Sequence, residues 1–336
     1  MEAGAITSTR GTLPRGSGTL PRGSGPRFAD PLLQGMLATI AAGVLILIGL
    51  FFIRLLVESK PAFDHTGLVD FVFSNNWVPS RGQFGAFPLV FGTLVTSAIA
   101  LLIGVPVAVA SALYITELSP RRLRTPLTIL VELLAAVPSV VYGLWGIFFL
   151  APALLPAEKW FASTLSFIPF LGGDVSIPNY FVAGLILAIM ILPIVSAISR
   201  EVISTVPPEH REAALALGAT RWEMIRMAVL PYSRAGISGA AMLGLGRAIG
   251  ETIAVTIVIG NAAVVGNSIF TQGYTLAAVI ANEFGEAASD PVHRASLIAA
   301  GLLLFVLTLG INLVARHFVS RAETVGQRKI PTGMAG

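Results

Sequence analysis

The 336-residue chain contains no cysteine, and only 12% of its residues are charged. Without cysteine there is no disulfide scaffold, no thiolate metal site and no thiol nucleophile, and the redox compartment stays open. The charged share is about half that of a typical soluble domain, which argues against a water-soluble globule. Lysine is scarce as well: Lys60, Lys159 and Lys329 are the whole set, and none follows a glycine. A phosphate-cradling GxxxxGK[ST] loop is therefore missing, so the chain is not a P-loop ATPase by itself. The four histidines, His65, His210, His293 and His317, fall in separate segments with no HExxH or other ligand spacing, and no metal site is expected. GLGRAIG at 244–250 does not satisfy GxGxxG and lies inside an apolar run.

What the chain has in abundance is apolar surface. Hydrophobic residues make up 54% of it and the mean hydropathy is +0.80, more than a single core of this length can hide. Six apolar stretches each approach the ~20 residues that a bilayer requires: Gly35–Val57, Pro88–Ile115, Leu127–Leu150, Tyr180–Ser199, Gly236–Ala262 and Ser296–Ala315. The first is not expected to be a cleaved signal peptide, because it begins beyond residue 30, is too long for an h-region and lacks a small-residue cleavage site. The pattern predicts an all-α, polytopic membrane protein with six transmembrane helices.

The pI of 9.8 would suit a nucleic-acid binder, but no Lys/Arg cluster is interleaved with aromatics. The positive charge is instead sorted along the chain. Residues 1–34, the Arg121–Arg124 turn, the segment 200–235 and the tail from Arg316 hold 16 of the 22 Lys and Arg, whereas the alternate loops hold Lys60, Arg81, Lys159 and Arg294. By the positive-inside rule the rich segments and both termini are expected on the cytoplasmic side of a multi-pass protein. Arg54, near the outer end of the first run, can snorkel to the interface. Residues 1–30 contain TLPRGSG twice and read as a basic tail too poor in apolar residues to order, with weak attraction to anionic headgroups as the alternative. The first span and its external loop then occupy 31–87, the transmembrane core 88–316, and a C-terminal tail 317–336. The loop at 151–179, like that at 58–87, is too small for an independent domain.

The longest cytoplasmic segment, PPEHREAALALGATRWEMIRMAVLP at 207–231, reads as two helical pieces. Pro207 and Pro208 open the first, Glu209 and Glu212 suit its dipole, and Gly218 is placed to end it. The second, Arg221 to Leu230, is expected to stop at Pro231. Periodicity alone fits an amphipathic hairpin lying on a membrane surface. The wording adds to this: Glu212, Ala213 and Ala214, then Gly218, then Leu230-Pro231 resemble the EAA loop of importer-type ABC permeases. One position departs, Ala228, where that family usually has isoleucine.

Two further stretches, VPSVVYGLWGIF at 137–148 and GLGRAIGETIAV at 244–255, resemble the PstC-type permeases of phosphate importers, within the binding-protein-dependent inner-membrane components. The resemblance covers roughly residues 30–320. It implies the MetI-like permease architecture, a bacterial inner-membrane location, and a chain that is half of a two-permease pore and not an enzyme. It also implies partners: a PstA-type second permease, a PstB-type ATPase dimer carrying ATP and Mg, and a PstS-type extracytoplasmic phosphate-binding protein. Glu212, Ala213, Ala214 and Gly218 would then couple the pore to the ATPase.

Independently of family, Arg247 and Glu251 stand out as charges inside an apolar run, where an unpaired charge costs about 3 kcal/mol. Counted from Gly236, Arg247 lies on the order of 16 Å into its span, near the bilayer midplane. The i, i+4 spacing would place both on one helix face, in the base-before-acid order that stabilises a helix least. An ion pair that only fixes packing and an anion pathway are both open, the second favoured by the small residues Ala240, Gly244 and Ala254 on the same stripe. Gly236, Ala240 and Gly244 also suit close helix packing. Glu132 in the third run reads either as a cap or partner-subunit contact or as part of a gate. Pro138 and Ser139 either open the third helix and present a hydroxyl to an oxyanion or only kink it. Tyr142 and Trp145 read as packing or interfacial aromatics.

A rival class is a proton-coupled secondary anion transporter using Arg247, Glu251 and Glu132; its marks would be inverted repeats and broken helices. A permease for another oxyanion, or a structural membrane subunit that moves nothing, completes the alternatives.

Overall fold

The computed structural model describes residues 29–327, and the side chains of 31–317. It divides into two compact units, Met1–Phe52 and Ile53–Gly336. Apart from residues 29 and 30, the expected basic tail lies outside the described residues, as does everything after Gln327.

Among the described residues five helices are long and apolar enough to cross a membrane: Pro31–Thr66, Phe87–Leu118, Ser139–Thr164, Tyr180–Ser204 and Pro291–His317. A sixth span exists if Arg221–Gly250 and Ile253–Ile259, which meet at a 64° bend, are taken together. Helix α1 (Ala29–Thr66) continues past Val57, where the first apolar run ends. After it come a short helix α2 (Leu68–Phe73) and a two-stranded antiparallel hairpin, β1 (Trp77–Val78) with β2 (Gln83–Phe84), Trp77 opposite Phe84. The hairpin is anchored by side chains. Trp77 Nε1 donates to Glu283 Oε2 at 3.0 Å, the same oxygen lies 3.0 Å from His293 Nε2, and Phe84 stacks on the His293 ring. Glu283 ends α12 (Leu276–Glu283), and His293 lies near the start of the last helix, α13 (Pro291–Gln327). The loop expected at 58–87 is thus largely structured.

Helix α3 (Phe87–Leu113) ends in a π-helical turn, Tyr114–Leu118, and packs along α7 (Tyr180–Ser204). Asn179 caps α7, its side-chain oxygen accepting from Val182 N at 2.9 Å. Three apolar clusters run along the length of these helices. The central one holds Tyr180, Ile186, Ile191, Val195 and Val258. A second surrounds Phe71, Phe84 and Leu276 near the start of α3, and a third gathers Leu113, Ile203, Val206, Ile225 and Val229 near its end. With backbone bonds closed inside helices, lipid-facing apolar side chains need no further partner.

Two expected spans are corrected. The third run, Leu127–Leu150, is not one helix: Val137 and Pro138 are extended, with ψ of 127° and 141°, because the residue before a proline is pushed out of the helical region. Arg121–Ala136 is a separate helix, α4, with Val131 as its buried residue. The span comprises α5 (Ser139–Trp145), a π turn at Gly146–Leu150, and α6 (Ala151–Thr164). Residues 151–164, read as loop, therefore finish the span.

The fifth run, Gly236–Ala262, begins earlier and breaks before its end. Its helix does not stop at Pro231. After α8 (Pro208–Ala216), helix α9 (Arg221–Met224) passes through a π turn, Ile225–Val229, into α10 (Leu230–Gly250). Pro231 lies at the first positions of α10, directly after a turn whose hydrogen bonding is already shifted in register, so its missing N–H breaks nothing. The chain then opens at Glu251 (ψ 129°) and Thr252 and resumes as α11 (Ile253–Ile259). A broken helix, not evident in the sequence, is therefore present.

Candidate functional site

The segment 207–231 folds as a helical hairpin. Pro207 caps α8, which ends where Gly218 adopts φ 85°, and the Gly218 and Ala219 amides return to the carbonyls of Leu215 and Ala214 at 3.0 and 3.2 Å. Thr220 starts α9 with a capping box: its hydroxyl accepts from Glu223 N, and the Glu223 carboxylate accepts from Thr220 N at 2.8 Å. The hairpin leaves Leu215, Leu217, Trp222 and Met227 exposed, Leu217 at 89%. Around Gly218 lies a cavity of about 470 Å³ lined by Leu217 and Met227 together with Ala214, Ala219, Glu223 and Ala228. Glu212 and Ala213 are exposed and Ala214 half-buried. Four large apolar side chains thus stand exposed on an otherwise polar hairpin, the kind of surface that a protein partner or a membrane covers.

The second place is the break after Gly250. Arg247 sits in the last turn of α10, where a cation suits the helix dipole, and it is exposed. Glu251 is half-buried, and Ala254 N donates to its Oε1 at 3.5 Å. Because the helix ends between them, Arg247 and Glu251 do not share a helix face, and among the described residues neither forms an ion pair. The stripe of small residues is also corrected. Ala240 and Gly244 are fully packed against α7, with Val195 closing on Gly244 and Val202 on Gly236, and they leave no room for a ligand. They are helix-packing residues.

The two sequence motifs meet here. α5 packs on α11, and a Cβ at Gly143 would come within 2.8 Å of Ile257 Cδ1 and 3.2 Å of Ala254 Cα. A Cβ at Gly146 would lie 3.0 Å from Ile186 and Val258. VVYGLWG therefore carries glycine where GETIAV must approach. Tyr142 donates its hydroxyl to Leu134 O at 2.7 Å, tying α5 to the end of α4 across the Pro138 break. Gly143→Val is expected to destabilise by about 1–3 kcal/mol through overpacking, checked as a lower unfolding midpoint of the purified chain in detergent.

The remaining expected residues divide. Ser139 is half-buried as the first residue of α5. Glu132 is exposed and pairs within the chain: Arg200 Nη2 donates to its Oε1 at 3.1 Å, and Arg200 Nη1 donates to Thr128 at 2.7 Å. This pair lies on a cavity of about 730 Å³ that also receives Glu117, Arg124, Glu201 and Arg211. Arg200, Glu117 and Arg211 were not singled out in the sequence. They stand 68 to 94 positions from their partners, and local pattern carries no signal over that separation.

The chain is matched over residues 104–324 by the family described as binding-protein-dependent transport system inner membrane component. It is 44% identical, over 88% of its length and 92% of the other's, to a phosphate transport system permease protein PstC of Mesorhizobium japonicum. It is 45% identical to PstC 2 of Mycobacterium tuberculosis, over 83% of this chain and 89% of that one. Among solved structures, a bacterial alginate ABC transporter in complex with an alginate-bound periplasmic protein superposes with a TM-score of 0.58 at 20% identity, covering 88% of this chain and 97% of that one, which establishes a shared fold. The hairpin at 207–231 and these likenesses agree, and the chain belongs to the binding-protein-dependent transport system inner-membrane component family, as a PstC-type permease.

Proposed function

We propose that the chain is one of the two permease subunits of an ATP-driven phosphate importer. The observation that carries this reading is the 207–231 hairpin, which exposes Leu215, Leu217 and Trp222 and has Leu217 and Met227 lining the cavity at Gly218, in a chain close to curated PstC proteins. The hairpin docks on a PstB-type ATPase at the cytoplasmic face, a PstA-type permease completes the pore, and a PstS-type binding protein delivers phosphate from outside. Both termini are cytoplasmic, in keeping with the distribution of Lys and Arg. ATP-driven closure of the ATPase pair draws the hairpins together and switches access to the pore; hydrolysis resets it.

In the pore, Arg247 faces the translocated anion. Its guanidinium offers a planar fork of donors that matches a phosphate edge, and exposure at the helix end leaves it free to do so. Glu251, at the break, is placed to accept from a P–OH group and to repel a fully ionised oxyanion such as sulfate.

The broken span is also a mark of secondary transporters, so proton coupling is the reading to exclude. Membranes holding the complete assembly are tested for radiolabelled phosphate uptake. Uptake is expected to collapse on ATP depletion and to survive an uncoupler at clamped ATP; uptake lost to the uncoupler alone would replace this function with proton-driven transport. An ATPase is expected to co-purify with the chain in fixed stoichiometry.

A further inference from the structure

Arg211 lies on α8 one position before the Glu212–Ala214 motif, yet its side chain turns back toward the membrane helices. Its Nη1 donates to Val206 O at 2.6 Å, and its Nη2 donates both to Ile203 O at 2.9 Å and to Glu117 Oε1 at 3.0 Å. Ile203 and Val206 are buried where α7 ends; the Ile203 carbonyl also accepts from Val206 N at 3.3 Å, and Pro207, four residues after Ile203, has no N–H to offer it. One guanidinium thus fastens α8 to the end of α7 and, through Glu117, to the end of α3.

The second attachment is the informative one. α8 comes directly after α7 in the chain, so a movement of α8 reaches α7 through the backbone. α3 has no such backbone connection; it meets the hairpin through the apolar cluster of Leu113, Ile225 and Val229, which can slide, and through this directional ion pair. Among the described residues, Arg211–Glu117 is the one ion pair joining α8 to α3, and its side chains are 22% and 10% exposed, so solvent screens it far less than a surface pair. A weaker thread runs beside it, from Arg221 Nη1 on α9 to Glu117 O at 3.5 Å.

Local backbone brings Glu117 into position. It sits in the π-helical turn Tyr114–Leu118, and one extra residue in a turn rotates the side chains beyond it by roughly 100° about the helix axis. The neighbouring cavity of about 730 Å³ leaves the pair unbraced on one side. Its lining carries Arg124, Arg200 and Arg211 against Glu117, Glu132 and Glu201, a balanced set that does not favour a bound anion.

We propose that the Arg211–Glu117 pair is the link that makes α3 follow the coupling helix, so that both closely packed pore helices move when α8 is displaced. Arg211 and Glu117 are positioning residues: neither touches phosphate or ATP. The inference rests on the reading that α8 docks on an ATPase.

The test is a double-mutant cycle in the complete assembly, with Arg211→Met, Glu117→Ala and the double variant, read as phosphate uptake, ATPase co-purification and stimulation of ATP hydrolysis by phosphate-loaded binding protein. Each single variant is expected to retain the ATPase and its basal hydrolysis, to lose uptake at least tenfold, and to lose the stimulation. The double variant should be no worse than the more severe single, because both delete one connection. Glu117→Gln, which keeps an acceptor for Arg211, is expected to lose less uptake than Glu117→Ala. Uptake near wild type in either single variant, or losses that multiply in the double, would overturn the link. Loss of the bound ATPase in Arg211→Met alone would also overturn it, since Arg211 would then only hold α8 in shape. If the unmodified assembly carries no ATPase, the docking reading itself has failed.

Discussion

Replacing Gly218 by proline is expected to reduce phosphate uptake to background while the chain remains abundant in the membrane. Gly218 holds φ 85°, and its N–H donates to Leu215 O. Proline fixes φ near −65° and has no N–H, so it opposes the turn on both counts. The turn sets the angle between α8 and α9, and with it the spacing of Leu217 and Met227 across the cavity they line. A graded series separates this from a general loss of folding. Asparagine tolerates the left-handed region and should keep most of the uptake; alanine, at about 1–2 kcal/mol of backbone strain, should fall between. A Cβ at this position meets nothing within 4 Å, so side-chain size alone cannot produce the ranking. Glu212→Arg, which reverses an exposed charge on α8, should also abolish uptake. Normal uptake in Gly218→Pro at matched expression would remove the hairpin from the mechanism and leave it an amphipathic element on the membrane surface.

Arg247→Gln is expected to lower uptake by about 10- to 100-fold, the kinetic equivalent of losing charge-assisted hydrogen bonds worth about 1.5–3 kcal/mol. Because Arg247 is exposed and forms no ion pair among the described residues, the substitution breaks no such bond within the chain, and the assembly should form as before. Arg247→Lys keeps the charge without the fork and should fall between. Glu251→Gln should be milder for phosphate. Its effect belongs in selectivity: sulfate should compete better than against the wild type in an assay independent of the binding protein. Unchanged uptake in Arg247→Gln would take the residue out of the pathway. A failure of the complex to assemble would assign it to packing between subunits.

Much of the molecule was legible in the amino-acid sequence, and the reason is the solvent. A bilayer demands about 20 apolar residues per crossing, so spans appear as runs that need no tertiary information. Most of the hairpin at 207–231 was visible as well, since Pro208 and Gly218 are local devices; the Thr220–Glu223 box is just as local but was not read, and the helix expected to stop at Pro231 runs on. The break at Pro138 was legible in part, because the restriction that proline imposes on Val137 is local; whether it opens the helix or only kinks it was left to the packing.

What only the tertiary structure decided concerns groups far apart in the chain. The opening of the fifth span at Glu251 has no proline to announce it, and the close approach of α11 to α5 accompanies it; Gly143 reads as one more small residue until Ala254 and Ile257 lie against it. That break separated Arg247 from Glu251, which an uninterrupted helix would have joined. Glu132 found Arg200, and Glu117 found Arg211, across 68 and 94 positions. Apolar runs and caps are dictated by a residue's immediate neighbours and by lipid, whereas a charge in a low-dielectric setting takes whichever opposite charge the packing brings within about 4 Å, and the packing is set by the whole bundle.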